Sequence, residues 1–183
     1  MALERLPGDL VWRFWLASPL AFEDWENPTA AEMNANPNND PDGLIFNITC
    51  ALNTDGTTFD IGEGDTDDSL TFCQRAGTSE VLNYAPEIVL QIERSTQRWV
   101  ESDPATLDDA NLAFSLLAWR GVEYFAMMST GEAPEAPVDA GDRLKMARVA
   151  TDHIVDEHDS GANVRSTQTP LARGDVNWNF TVA

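Results

Sequence analysis

The sequence predicts a mainly β domain, an antiparallel sandwich or barrel of about seven or eight strands with one flanking helix. Three features predict it: apolar residues alternate with a period of two in several short runs, Gly, Pro and Asp punctuate the gaps between runs, and a single stretch shows helical periodicity. The first strand sets Leu10, Trp12, Phe14 and Leu16 on one side. Asn27 followed by Pro28 reads as a cap and first helical residue, opening a short N-terminal helix through Ala30, Ala31, Glu32 and Met33. Residues 34 to 43, with four Asn, two Pro and two Asp, read as an irregular loop. Leu44, Phe46, Ile48, Cys50 and Leu52 then repeat the strand pattern.

Phe59, Asp60, Ile61 and Gly62 lead into an acidic loop, Glu63 to Asp68, and the span 57–71 reads as a projecting arm. In the next strand Ile88, Leu90 and Ile92 face the core, opposite Glu87, Val89, Gln91 and Glu93. The helix is expected at about residues 104–118. It would start at Asp103-Pro104 with a Thr106 to Asp109 capping box, and its stripe of Leu107, Ala110, Phe114 and Leu117 would seal one open sheet face. Val122 to Ser129, Arg143 to Asp152 and Asn163 to Leu171 are further strands. After a Gly174-Asp175 turn, Val176, Trp178, Phe180 and Val182 share one face of the last.

A chain of 183 residues suits a single domain over 1–183 that buries most of its unfolded surface. Met1 to Asp9 lacks the cationic start and apolar centre of a secretion signal. The apolar run from Val11 to Leu20, broken by Arg13 and Pro19, is too short to span a membrane. Two cysteines, Cys50 and Cys73, both on apolar strand faces, read as buried free thiols.

The net charge is −20, spread over the whole chain: residues 1–75 hold 14 acids and 3 bases, residues 76–183 hold 17 and 8. Neither half offers a basic footprint for nucleic acid. Acids interleaved with Trp, Phe, Ile and Val at strand spacing cover a folded surface instead of forming a disordered tail.

Catalytic constellations are sparse. His153 and His158 would need Asp152, Asp156, Glu157 or Asp159 to hold a metal, and their spacing exceeds the helical i, i+4 pair by one residue. Burial raises a thiol's pKa, which disfavours a Cys–His nucleophile. The Glu63 to Asp68 carboxylates invite Ca²⁺ but miss the helix-loop-helix calcium spacing, so a solvated loop is the simpler reading. Glycine-rich phosphate loops are missing. The sequence thus points away from an enzyme and calls for no cofactor and no metal.

The order of these elements resembles the major tail tube proteins of long-tailed (siphovirus-type) bacteriophages, particularly those of actinobacterial hosts. It runs from first strand to short Asn-Pro helix, Asn/Pro loop, the strand through Phe46 to Leu52, Phe59 to Gly62, the acidic loop, and Ser69, Leu70, Thr71, Phe72 and Cys73. The Ile88 to Glu93 strand, the long helix and the strand ending at Val182 complete it. The resemblance implies a virion protein, made in the host cytoplasm, that self-assembles into hexameric rings stacked as a tail tube. Tape measure and tail terminator proteins would be its partners. Viral DNA would pass through an acidic lumen without sequence-specific binding, with no membrane involved.

Within that expectation Glu87, Gln91 and Glu93 are candidates to face the lumen. Trp15, Trp25, Glu63, Asp65, Asp67 and Asp68 are candidates for inter-subunit contact, the two tryptophans as exposed aromatics. A capsid decoration or head-completion protein and a carbohydrate-binding β-sandwich are the alternatives.

Overall fold

In the computed structural model, residues 12–40, 42–61, 65–67, 80–83, 86–94, 108–131, 133–157 and 164–183 are described. Apolar residues on both sides of successive strands build one sheet that is buried on both faces. Its strands, numbered in chain order, are β1 (Trp12–Ala17), β2 (Ile45–Asn47), β7 (Glu123–Thr130), β8 (Arg143–Ala150) and β11 (Leu171–Thr181), in the antiparallel order β11-β8-β7-β1-β2. A second sheet of four shorter or one-sided strands follows the order β3-β6-β10-β9. These are β3 (Thr58–Ile61), β6 (Pro86–Glu93), β9 (Ile154–Glu157) and β10 (Arg165–Gln168). A two-stranded ribbon pairs β4 (Asp65–Asp67) with β5 (Glu80–Asn83). Among the described residues there are thus eleven strands, more than the seven or eight expected.

The inner core lies between the two sheets. Phe14, Leu16, Phe46, Ala126, Met128 and Val149 of the first sheet meet Phe59, Ile88, Leu90 and Ile92 of the second. Phe59 stacks on Trp178 with ring centroids 5.3 Å apart. Helix α2 (Asp109–Leu117) closes one end with Leu112, Ala113 and Leu117. Its cap is Asp108, whose carboxylate accepts from the Asn111 N–H at 2.8 Å, so the described helix starts later than the expected Asp103-Pro104. At its other end two carbonyls are satisfied by buried partners. The Tyr124 hydroxyl donates to Leu116 O at 3.0 Å, and the Gln168 amide donates to Leu117 O at 2.9 Å.

A second core covers the opposite face of the first sheet. Trp15, Ala17, Ile45, Phe125, Met127, Leu144 and Met146 lie beneath Phe22, Met33 and Val138, with Trp25 stacked on Phe125 at 5.6 Å. Arg13, 1% exposed, is the cation of this layer: it donates to Ser129 Oγ, to the carbonyls of Ala136 and Pro137, and to Asp142 at 3.0 Å. The guanidinium also lies 5.2 Å from the Trp15 ring centre. A buried charge persists only with this kind of full pairing.

Several local expectations are corrected here. Helix α1 (Ala30–Met33) is capped by Thr29, not Asn27, in a reciprocal capping box with Glu32. The Glu32 carboxylate also accepts from the Glu23 N–H; these bonds, with Glu23 the largest contributor, hold its pKa below the ordinary 4.5. The strand expected from Leu44 to Leu52 ends at Asn47. A 3₁₀ turn over Thr49–Ala51 follows, which leaves Cys50 exposed instead of buried. Asn163 to Leu171 is two elements: β10 in the second sheet, then the start of β11 in the first. Gly174 does not make a turn before the last strand. It sits inside β11 at φ +90°, in a bulge between Ala172 and Val176. A second register shift between Trp178 and Phe180 sends Val176 and Trp178 to the inner core but Phe180 and Val182 to the outer one.

Candidate functional site

The outer face of the second sheet is where polar residues gather. Cross-strand partners share a face, so Asp60 beside Glu87, Thr58 beside Val89, Gln91 beside Thr167, and Glu93, Arg165 and Glu157 in one row all point away from the core. Ile88, Leu90 and Ile92 lie on the other side at 2%, 1% and 0% exposure, as their alternation with the glutamates dictates.

The three nominated residues of this face behave differently. Glu87 is exposed. Glu93 is half-buried and accepts from the Asn53 amide at 3.1 Å. Gln91, expected to be as open as its neighbours, is only 8% exposed. Its amide donates to Glu157 at 3.2 Å, and the 53–57 turn folds over it so closely that a Cβ on Gly56 would lie 2.2 Å from Gln91 Oε1. Gln91 therefore ties strands together and does not present itself to solvent.

The tryptophan candidates are corrected in part. Trp15 is 4% exposed inside the outer core, and Trp25 is half-buried against Phe125. Asp65 and Asp67 belong to a paired strand, not an open loop, with Asp65 opposite Asn83 and Asp67 opposite Glu80. Glu63 and Asp68 lie outside the described residues, as do His158 and Cys73. His153 is exposed. The Cys50 thiol, though on an exposed residue, is shielded enough that partial burial, with Asp109 and Glu135 nearby, raises its pKa. A cleft of about 260 Å³ lies on the outer side of the first sheet, lined by Trp15, Met33, Asn34, Asn36, Ile45 and Glu135 among others. Of its lining residues only Glu135 carries an ionisable side chain.

Sequence reasoning did not find how the sheet margins are treated. At the β2 margin, the Asn39 side chain exchanges two bonds with the Asn47 backbone, both 2.8 Å, and the Asn36 amide donates to Ile45 O at 2.8 Å. Side-chain amides thus stand where a neighbouring strand would. Asn39 holds φ +52° to do so, a conformation Asn tolerates better than most residues. The signal was present as the Asn-rich composition of residues 34–43, which reads only as a loop until the partners are known. In contrast β3 pairs with β6 alone and β9 with β10 alone, so both margins of the second sheet are open among the described residues.

Among the described residues the second sheet thus combines open margins with one wet, acidic face. Residues 5–183 match the family described as phage tail tube protein. The chain belongs to that family. No curated protein matches it. Membership makes it a structural component of the phage tail, working with other tail parts. Among the described residues no helix is long and apolar enough to cross a membrane.

Proposed function

We propose that the protein forms hexameric rings that stack into the tail tube, with the polar face of the second sheet turned to the lumen. The observation that carries this reading is the pairing of two features in one sheet. Among the described residues its margins β3 and β9 are open, and its outward face carries Asp60, Glu87, Glu93 and Glu157. Strand direction alternates across β3, β6, β10 and β9, so β9 of one copy meets β3 of the next in antiparallel orientation, and the ring closes without exposed margins.

An acidic wall suits the genome's passage. Duplex DNA carries one charge per ~1.7 Å of axis, and a cationic lining would gain counterion-release energy at each phosphate and hold the duplex. At physiological salt, screening over about 8 Å leaves carboxylates on a narrow bore within range of the phosphates. The ribbon of β4 and β5, together with Glu63 and Asp68, which flank β4 in the sequence, and Trp25 on the outer layer, contacts the neighbouring copy in this arrangement. Tape measure and tail terminator proteins complete the tail.

Negative-stain microscopy of the concentrated protein tests the reading: rings or tubes are expected, and uniformly monomeric particles overturn it. Deleting residues 63–68 should leave a folded monomer that forms no long tubes. Charge reversal of Glu87 and Glu93 to Lys should permit assembly while slowing DNA ejection.

A further inference from the structure

β11 is the far edge of the first sheet, and among the described residues it pairs with β8 alone. At eleven residues it is a long edge, and a long edge with free N–H and C=O groups is a template for another chain. Its ladder is interrupted. Val149 pairs with Ala172 and Ala147 with Val176, so Arg148 stands alone opposite three residues, Arg173, Gly174 and Asp175. Packing does not call for this bulge. From Ala172 to Val176 is four steps along β11 against two along β8, an even excess, so both residues keep the face they would have in a straight strand. Each lies across from a residue of the inner core, Val149 or Ala147. The register shift between Trp178 and Phe180 differs, since it moves side chains from one core to the other.

A charge clasp spans the bulge. The two terminal nitrogens of Arg148 take Asp175 in the bulge at 3.0 Å and Glu123 of β7 at 2.7 Å, and Arg173, also in the bulge, lies 3.8 Å from the same Glu123. Two of the chain's eleven cations are committed here, around a Gly174 held at φ +90°, a conformation that a side chain would resist. The other end of the edge is covered by residues 26–30. The Asn177 amide donates to Glu26 O at 3.0 Å, the Ala183 N–H to Pro28 O at 3.2 Å, and the Ala30 N–H to Ala183 O at 3.1 Å.

We infer that Arg148, Glu123, Arg173 and Asp175 form a guard on the β11 margin, holding a bulge that keeps the strand of a second chain from pairing there. A bulge bends and twists the edge away from the plane a partner strand needs, and a docking strand would have to desolvate the charges that sit on it. With β2 capped by asparagine amides, both margins of the first sheet are then closed to pairing. The inference does not depend on the ring reading, which concerns β3 and β9.

The test is hydrogen exchange of the full-length protein at low and high concentration. The β11 amides turned away from β8 should exchange at the same rate in both; their protection on concentration would make β11 an assembly margin and overturn the guard. Protection at β3 and β9 reports on the ring reading separately. Deleting Arg173 and Gly174 leaves Asp175 directly across from Arg148 in an unbroken ladder. This variant should self-associate at concentrations about tenfold lower than wild type, with the β11 amides newly protected. Should it fold poorly by thermal melting, Gly174→Val serves: a Cβ there meets nothing within 4 Å, so only the backbone angle resists, and the same association should appear more weakly. In Arg148→Gln the β8-bonded amides of residues 172–177 should exchange about fivefold faster, in keeping with the modest strength of part-exposed ion pairs, and should lose the salt sensitivity of wild type. Association of the straightened variants no greater than that of wild type overturns the guard, and unchanged exchange in Arg148→Gln overturns the clasp.

Discussion

The first sheet hides both faces, while the second hides one. Trp15 and Gln91 each point outward from their sheet, yet Trp15 meets a second apolar layer and Gln91 meets only a turn and its polar neighbours. The margins differ in the same sense, since β2 is capped by asparagine amides whereas β3 and β9 are bare among the described residues. The first sheet is thus closed off at its β2 margin, while β11 remains its other edge. The second combines margins that are bare among the described residues with one wet, acidic face.

The largest penalty should come from the buried polar anchor of the first sheet, Arg13. Arg13→Ala empties a fully buried site and removes the ion pair of Asp142, which keeps only the Asp139 N–H, along with the donors to Ser129 and the Ala136 and Pro137 carbonyls, and should cost about 3–5 kcal/mol in chemical denaturation. A cost under about 1 kcal/mol would show that this layer is dispensable. Asn39→Ala removes two backbone-directed bonds, so a loss of about 1–2 kcal/mol is expected. It should also introduce concentration-dependent self-association, because β2 becomes a bare margin; light scattering reads this out.

Thr29→Ala breaks the capping box of α1 for about 1 kcal/mol. Glu32 gives the same clasp a pH signature. Its folded pKa is lowered, so its contribution is complete above about 4.5 and disappears as pH falls through the lower folded value. In Glu32→Gln the extra loss of stability below pH 4.5 should shrink, as measured by melting across an acid series. The smallest effect belongs to the open face: Glu87→Lys should change stability by no more than about 0.5 kcal/mol, and a larger loss would mean that this face is packed within the protomer.

Period-two alternation revealed β6 well, because one wet face forces apolar and polar residues to take turns, as Ile88, Leu90 and Ile92 do with Glu87 and Glu93, but it missed β9 and merged β10 with the start of β11. It failed where both faces are covered. β1 reads Trp-Arg-Phe-Trp-Leu-Ala with everything after Trp12 buried, so periodicity assigned Trp15 and Arg13 to solvent or to a break in the run. In the C-terminal strand, register shifts move Phe180 to the other side without any change in the pattern of residue types. The acidic residues Asp65 and Asp67 read as loop because their charge outweighs any strand signal, yet backbone pairing with β5 is indifferent to charge.

The break in β11 has a mechanical side. Its early residues serve the layer between the sheets and its last ones serve the layer behind, so one polypeptide segment is a member of both apolar compartments. Neither compartment can loosen while that segment holds, and its release would open both together. A tug at this strand is thus shared by both apolar layers.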